Sequence, residues 1–440
     1  MNPYLLLAEL PVPRDLPLPL PLPEGLLKAL LVLFFLVHIL FVNLTVGGSL
    51  LVAVFEFLGF RKKKYDALAL ELAKTVTVNK SLAVVMGIGP LLCINLVYTA
   101  QWYGANAITG HAWLLIIPLI TAAFLLAYLH KYTWHRWASG TAKKLHWVIV
   151  VTSTLMFLAI PFVFLANVNL MLFPSEWEKV KGFFSSLKIG NVFPRYLHFM
   201  LASIALTGIA GAGWFWRENV VKHLDNGMTR EELRRLFYRI AAWATGAQFI
   251  AGPLLLFTLP GIGVTPLLYK IILPSAALGL LLLVVLLRKS KAPDHKLRHG
   301  YVLIVFFFSI VVLGMGSGRH AYREAALASH QQQIKARSES YQSALLAWNE
   351  ANPPSEEAEE TPEQLFASCA ACHAPDTRLV GPPLREVAAL YAGNPDGIVA
   401  WSMAPGKKRA DYPPMPAMNH LGEEKLRLIA EYILENFKEK

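Results

Sequence analysis

The sequence predicts an all-α protein: a polytopic helical membrane bundle of eight spans with a small soluble domain at its C-terminal end. Three observations predict it. Of 440 residues, 55% are hydrophobic and only 16% charged, whereas ordinary soluble domains carry roughly a quarter charged residues. Mean hydropathy is +0.43, and the apolar residues gather into runs of the length a membrane requires. A hydrocarbon core of about 30 Å takes roughly 20 residues in helix, because unpaired backbone polar groups are not tolerated in lipid. From about residue 362 the composition reverts to that of a soluble domain, with nine basic and ten acidic residues. Together these exclude a water-soluble enzyme. The net charge of +11 would suit a nucleic-acid binder, but the basic residues lie in short clusters between apolar runs, where lipid headgroups and topology account for them. The partner expected is membrane lipid, and no nucleic acid. Three cysteines, Cys93, Cys369 and Cys372, are too few for a disulfide scaffold.

The elements follow in order. Residues 1–24 form a Pro-rich lead-in, with PVPRDLPLPLPLP at 11–23, which cannot be helical and lacks the basic start and small-residue cleavage site of a signal peptide. Spans are placed at 25–59, 81–104, 112–134, 146–172, 194–216, 236–258, 265–287 and 300–317. The first exceeds a simple span and is expected to tilt or project from the bilayer. The connections alternate in charge. Basic clusters at Arg61 to Lys64, at Lys131, Arg136, Lys143 and Lys144, from Arg217 to Arg235, and from Arg288 to Arg298 mark one side; 105–111 and 259–264 carry no charge and 173–193 is mixed. Basic loops mark the cytoplasmic side, so both termini are expected outside, as an even number of spans requires. Residues 319–348 keep a helical composition and are expected to continue the last helix out of the bilayer, and the acidic NPPSEEAEETPE reads as a linker. The expected domains are thus a lead-in at 1–24, a transmembrane domain at 25–318, an extramembrane helix and linker at 319–361, and a soluble domain at 362–440.

The strongest chemical signal lies in that last domain. Cys369-Ala-Ala-Cys372-His373 is the CxxCH pattern of covalent haem attachment. Two thiols one helical turn apart can add to both porphyrin vinyl groups while the adjacent imidazole reaches the iron from the same side. A zinc-binding CxxC is the competing reading, but there is no second cysteine pair, and His420 alone leaves a tetrahedral site undersupplied. One covalent haem c is expected. A second axial ligand should follow before a closing helix, in the segment YPPMPAMNHLGEEKLRLIAEYIL. That segment resembles the ending of class I cytochromes c, a Met-Pro loop before an amphipathic helix, with Met415 at the usual ligand place. Met418, Met403 and His420 compete, and Met415 has the alternative of being a core methionine. Methionine ligation would raise the potential relative to a bis-histidine haem. The run Gly381-Pro382-Pro383 is similar to the same family, where it packs near the proximal side. The resemblance implies a periplasmic location for residues 318–440, since covalent haem attachment in bacteria takes place outside the cytoplasmic (inner) membrane; the loop charges agree.

Ionisable and polar groups inside the membrane are costly and therefore functional candidates: His38, Asn43, Glu56, Asn95, Gln101, Asn167, Asn169, His198 and Lys270. Two neutral imidazoles on different helices can hold a haem b, and His38 and His198 are the best placed; the alternative for each is a buried histidine bonded to a carbonyl or hydroxyl. Lys270 faces either a haem propionate or a quinone carbonyl, or snorkels to the interface. His130, His135, His146, His223, His295 and His299 fall at or beyond the cytoplasmic helix ends and read as ordinary interfacial residues.

Residues 25–330 resemble cytochrome bd oxidase subunit I. The resemblance rests on FFLVHILFVNLTVGGSLLVAVFEFLGF from Phe34, GIGPLLCINLVYTAQWY ending at Tyr103, Leu165-Ala-Asn167, YLHFMLASIALT ending at Thr207, and Gly318-Arg319-His320, which is similar to that family's Gly-Arg-Gln motif. It implies haem-ligand roles for His38 and His198, and a second membrane subunit of similar type in a hetero-oligomeric respiratory complex. His320, near the outer face, is a further candidate ligand, with Met315 its rival. Three departures matter. Gly89-Pro90-Leu91-Leu92-Cys93 stands where the family has an acidic haem ligand, Ile272 stands where it has a methionine, and its long quinol-binding loop is reduced to Leu259 to Thr265. The function expected is a respiratory electron-transfer subunit passing electrons between the quinone pool or a membrane haem b and a periplasmic haem c, which exchanges with a periplasmic cytochrome or other redox protein. The alternatives are a bd-type terminal oxidase fed by cytochrome c, and a non-catalytic membrane anchor for a cytochrome c domain.

Overall fold

The structure is a computed structural model that describes residues 20–224, 227–297, 299–351, 361–407, 409 and 411–438. The lead-in up to residue 19 and the linker at 352–360 lie outside the described residues. Eight of the described helices are long and apolar enough to cross a membrane: α1 (Glu24–Gly59), α2 (Lys63–Val97), α3 (Thr99–Thr133), α4 (Gly140–Met171), α5 (Val192–Trp214), α6 (Arg230–Phe257), α7 (Pro266–Ser290) and α8 (Tyr301–Ala351). Four further helices follow: α9 (Pro362–Ala370), α10 (Leu384–Leu390), α11 (Pro395–Met403) and α12 (Gly422–Asn436). The chain divides into two compact units, the boundary falling within α8 between Tyr341 and Gln342.

In the first unit α1 packs on α2, α4 and α5, α3 on α4, α5 on α6, and α6 on α7. Helix starts are set locally. Thr229 and Glu232 form a reciprocal capping box at α6, and the Thr265 hydroxyl accepts from Leu268 N at α7, each satisfying amides the helix leaves unpaired. Glycine lets α8 approach closely. A methyl on Gly318 would lie 2.5 Å from Ile272 on α7, and one on Gly316 2.7 Å from Leu36 on α1, so small residues set these contacts. Interior prolines occur in five of the eight helices: Pro90, Pro118, Pro161, Pro253 and Pro274.

Two span expectations are corrected. The sequence placed an uncharged loop at 105–111, yet the chain breaks at Tyr98 instead, and α3 runs through 105–111 with one departure at Gly110, whose φ of +45° only glycine adopts readily. The run Lys63 to Lys80, too polar for a span, is helical and belongs to α2. The long continuation of the eighth helix is as expected.

The apolar core of this unit is two clusters. One, around Phe55, Leu68, Trp134, Phe237 and Leu286, lies toward the basic loops; the other, around Leu31, Tyr98, Trp102, Met171 and Leu268, lies toward the opposite end. Between them, α1 residues 37–42 and α5 residues 198–202 are only half-buried. His38 and His198 belong to this half-buried layer.

The second unit is built on α12, an amphipathic helix whose Leu426, Ile429, Ala430, Ile433 and Leu434 are buried against Leu365, Leu384, Ala388, Ile398 and Val399. Phe366 meets Tyr432 and Phe437 at ring distances of 5.2 and 5.7 Å. A capping box between Thr361 and Gln364 starts α9, whose last turn enters the CxxCH motif.

Candidate functional site

The amides of Cys372 and His373 both bond to the carbonyl of Cys369, at 3.1 and 3.0 Å, and those of Val380 and Gly381 both bond to the carbonyl of Cys372, at 3.2 and 2.8 Å. These bonds fold the chain after the motif back over His373. His373 Nδ1 then donates to the Pro382 carbonyl at 2.9 Å. A carbonyl can only accept, so the proton sits on Nδ1 and Nε2 keeps its lone pair, the tautomer of a metal-ligating imidazole. Gly381 makes this possible: a methyl there would lie 2.7 Å from both ring nitrogens. Cys369 and Cys372 are half-exposed free thiols, and burial pushes the Cys369 thiol up from its ordinary value.

The three candidate methionines are placed differently. Met403 and Met418 pack against the apolar core, and Met418 N is tied to the Ser402 carbonyl at 2.8 Å. Met415 is half-buried in the loop between them, and His420 is exposed. That loop is anchored at its start: Arg378 donates to the Asp411 carbonyl, and the Arg378 and Arg409 guanidinium groups lie 4.3 and 4.6 Å from the Tyr412 ring centre. Arg409 pairs with Asp411 at 3.1 Å and holds its carboxyl below the usual range.

In the membrane unit the three sequence-predicted histidines face three different neighbours. His38 Nδ1 donates to the Ala83 carbonyl at 2.8 Å, again leaving Nε2 with its lone pair. Its ring rests on Gly87 of α2, where a methyl would lie 3.0 Å from Cε1. His198 lies against Gly252 of α6, and its Nδ1 is buried without a hydrogen-bond partner. His320 Nδ1 accepts from Arg323 at 2.9 Å, and its ring lines a groove of about 480 Å³ with Lys28, Leu33 and Leu36 of α1. Most other intramembrane polar groups have local bonds: Ser203 donates to Asn43 at 3.0 Å, Thr109 to Asn167 at 2.9 Å, and Gln101 meets His330 at 3.1 Å. Lys270 is exposed near the start of α7. The departures noted in the sequence are filled by packing. Gly89 lies against Phe34, Pro90 is buried in α2, and Ile272 occupies the space against Gly318.

A cytochrome c family profile matches residues 360–436. Cytochrome c-551 of Azotobacter vinelandii is 39% identical over 80 residues, spanning 17% of this chain and 96% of that protein. Cytochrome c-551 of Stutzerimonas stutzeri is 43% identical over 77 residues, 16% of this chain and 73% of the relative. The chain belongs to the cytochrome c family. Its cytochrome c domain implies haem c and electron transfer. The helical membrane part is similar in fold to the solved structure of bd oxidase from Geobacillus thermodenitrificans, with a TM-score of 0.56, 13% identity, and coverage of 75% of this chain and 99% of that one. Eight apolar helices imply contact with lipid.

Beyond the cytochrome c domain, sequence reasoning missed two groups. His130 and His146, read as interfacial, are 2% and 0% exposed and both bond to Glu56 at 2.6 Å. This corrects the expectation for both; His135, His295 and His299 are exposed as expected, and the His223 side chain lies outside the described residues. A buried carboxylate in an apolar run demands such partners, and asking where the counter-charge of Glu56 lies would have been the signal. The second is Lys80, fully buried, its ammonium 3.5 Å from the Tyr128 ring centre. It sits just before the predicted second span, so it escaped the search for intramembrane charges.

Proposed function

We propose that this protein is a membrane-bound respiratory electron-transfer subunit that passes electrons between the quinone pool, or a haem b among its spanning helices, and a haem c on the periplasmic face. The observation that carries the reading is the His373 imidazole, held by Pro382 in the ligating tautomer beside two free thiols, in a chain that also has eight apolar helices. Cys369 and Cys372 would attach the haem, and His373 and Met415 would hold its iron. Met415 is favoured because the core engages Met403 and Met418. When bound, haem c supplies a one-electron carrier, and methionine ligation sets its potential above that of a bis-histidine site. The chain's own part is orientation: Pro382 fixes the imidazole, and Arg378, Arg409 and Tyr412 fix the loop bearing Met415.

For the membrane unit, His38 and His198 are the proposed haem b ligands. The residues fit the group: one ring has a free Nε2, the other an unpartnered buried Nδ1, and both belong to the half-buried layer between the two cores. Arg319 lies over the Phe35 ring at 4.3 Å and faces the like charges of Arg323 and of Arg195, one turn before His198 on α5; an anionic group such as a propionate would relieve that repulsion. His320, bonded to Arg323 and lining the α1 groove with Lys28, suits a quinone or haem edge. In this reading the domain boundaries are those predicted from the sequence, both termini are periplasmic in a bacterial inner membrane, and further membrane subunits complete the complex.

A bd-type oxidase fed by cytochrome c is the second reading, favoured by the fold likeness. The packing of Pro90 and Ile272 at two expected ligand places counts against it. Pyridine haemochrome analysis of the purified chain, followed by addition of a quinol, tests the proposal. We expect one haem c per chain together with haem b, and quinol-dependent reduction of haem c. Loss of Cys369 and Cys372 to Ala should remove the covalent haem and leave membrane insertion intact. A b-type count of zero, or haem c indifferent to quinol, overturns the electron-transfer route.

A further inference from the structure

The cluster around Glu56 lies outside every site described so far, and four helices build it. Glu56 comes from α1, Asp66 from α2, His130 from α3, and Lys143 and His146 from α4. α5, the other helix packed on this end of α1, brings Ile209, Ala212 and Trp214 to the surrounding core, none of them ionisable. Glu56 Oε2 meets His130 Nε2 at 2.6 Å, and Oε1 meets His146 Nδ1 at 2.6 Å. His146 Nε2 meets the His130 carbonyl at 2.7 Å. The Lys143 ammonium stands 3.1 Å from Glu56 Oε1 and 2.7 Å from Asp66 Oδ1. Exposure rises outward, from 0% at Glu56 and His146 through 8% at Lys143 to 31% at Asp66. Trp134 closes the cluster, its ring 5.3 Å from His130 and 5.0 Å from His146.

Counting donors fixes the protons. The His130 carbonyl can only accept, so His146 Nε2 carries a hydrogen. The contact between His146 Nδ1 and Glu56 needs a second hydrogen, which resides either on nitrogen, giving an imidazolium and a carboxylate, or on oxygen, giving a neutral ring and a carboxylic acid. Charge agrees. Glu56 and Asp66 are two potential anions against the single ammonium of Lys143, so one shared proton brings the cluster to neutrality, as burial demands. The same three side chains have the composition of a metal site. Two features argue otherwise: both nitrogens of His146 are engaged, and the Lys143 ammonium already occupies the carboxylate face that a cation would need.

We propose that Glu56, His130 and His146 form a proton store that loads and unloads one proton from the water at Asp66 through Lys143. On loading, the Lys143 ammonium passes a proton to the Glu56–His146 pair and is reprotonated from a hydronium ion by way of Asp66; unloading reverses both transfers. The store rests on these contacts alone and is independent of the haem b and quinone assignments.

The test is infrared difference spectroscopy of the purified full-length protein with isotope-labelled histidine, following carboxyl and imidazole bands through a pH titration and after a pH jump. The wild type should show coupled carboxyl and imidazole changes with a one-proton dependence. Glu56→Gln should abolish them. Asp66→Asn, a half-exposed change that leaves the buried trio intact, should keep the bands but slow their response by roughly a hundredfold, the lower end of what a positioned proton-transfer group contributes. Identical spectra in wild type and Glu56→Gln, or an unslowed response in Asp66→Asn, overturn the proposal. So does stoichiometric retention of Zn²⁺ that His146→Ala abolishes, which would make this a metal site.

Discussion

Replacing Gly381 by Ala tests the proximal geometry of the cytochrome c domain. The added methyl would lie 2.7 Å from both nitrogens of His373, where ordinary contact begins near 3.4 Å, and closer still to Cε1. The ring must therefore withdraw by at least about 0.7 Å, because a packed interior has no slack to absorb the overlap. Moving away from the 379–383 segment stretches the 2.9 Å bond from Nδ1 to the Pro382 carbonyl toward the limit of a hydrogen bond. Overpacking of this kind costs about 1–3 kcal/mol, and the weakened bond adds about 1 kcal/mol. For a domain of this size a loss near 3 kcal/mol lowers Tm by roughly 10–20 °C. Thermal melts followed at the haem absorbance, with the visible spectrum recorded at the outset, measure both effects. A melt unchanged within about 2 °C and an unaltered spectrum would mean that the imidazole is not held against Gly381 as described.

Met415→Ala should abolish the optical signature of sulfur ligation and lower the haem potential, whereas Met418→Ala should keep ligation and cost roughly 1–3 kcal/mol of stability, the usual range for trimming a packed side chain; the reverse pattern reassigns the ligand. His198→Ala should remove a low-spin haem b absorbance from the redox difference spectrum, and an unchanged spectrum reduces His198 to a packing residue. The Asp411 carboxyl is held below its unfolded value, near 3.9, by Arg409. Its contribution is therefore present above that value and is lost as pH falls through the lower folded one. Acidification should loosen the Met415 loop in the wild type, and Arg409→Ala should shift that loosening to higher pH. A spectral titration that is the same in both refutes the anchoring role.

Much of this architecture is written locally. Runs such as Phe34 to Phe60 mark spans, and the CxxCH spacing points to covalent haem, whereas Met415 is reached through the resemblance of its Met-Pro loop to class I cytochromes c. Local patterns failed where a property belongs to a pair of helices. Nothing near Lys63 to Lys80 announces that this polar run will be helical, because its support is the neighbouring α1 rather than lipid. The break at Tyr98 is likewise tertiary: its ring is fully buried and its hydroxyl donates to Glu324, 226 residues away. Glu56, His130 and His146 are separated by 74 and 16 residues, and no periodicity links them. The candidate haem c residues lie within one small domain, where short motifs point to them; the polar networks of the bundle, assembled from four helices, leave no such local mark.

The interior prolines are distributed unevenly along the helices that bear them. In α2, α4, α6 and α7 each lies ten residues or fewer from the end where α2 meets α3, α4 meets α5 and α6 meets α7. Each removes one rung from its helix ladder and leaves a carbonyl one turn earlier without its amide. The opposite half of these four helices, which supplies Asp66, Lys143 and His146 of the Glu56 cluster, has no interior proline. The spanning unit is thus uneven along its length, its helix ladders intact toward the basic loops and interrupted toward the other end. Pro253 adjoins the glycine that faces His198, so the missing rung falls beside that imidazole and far along the bundle from the buried carboxylate.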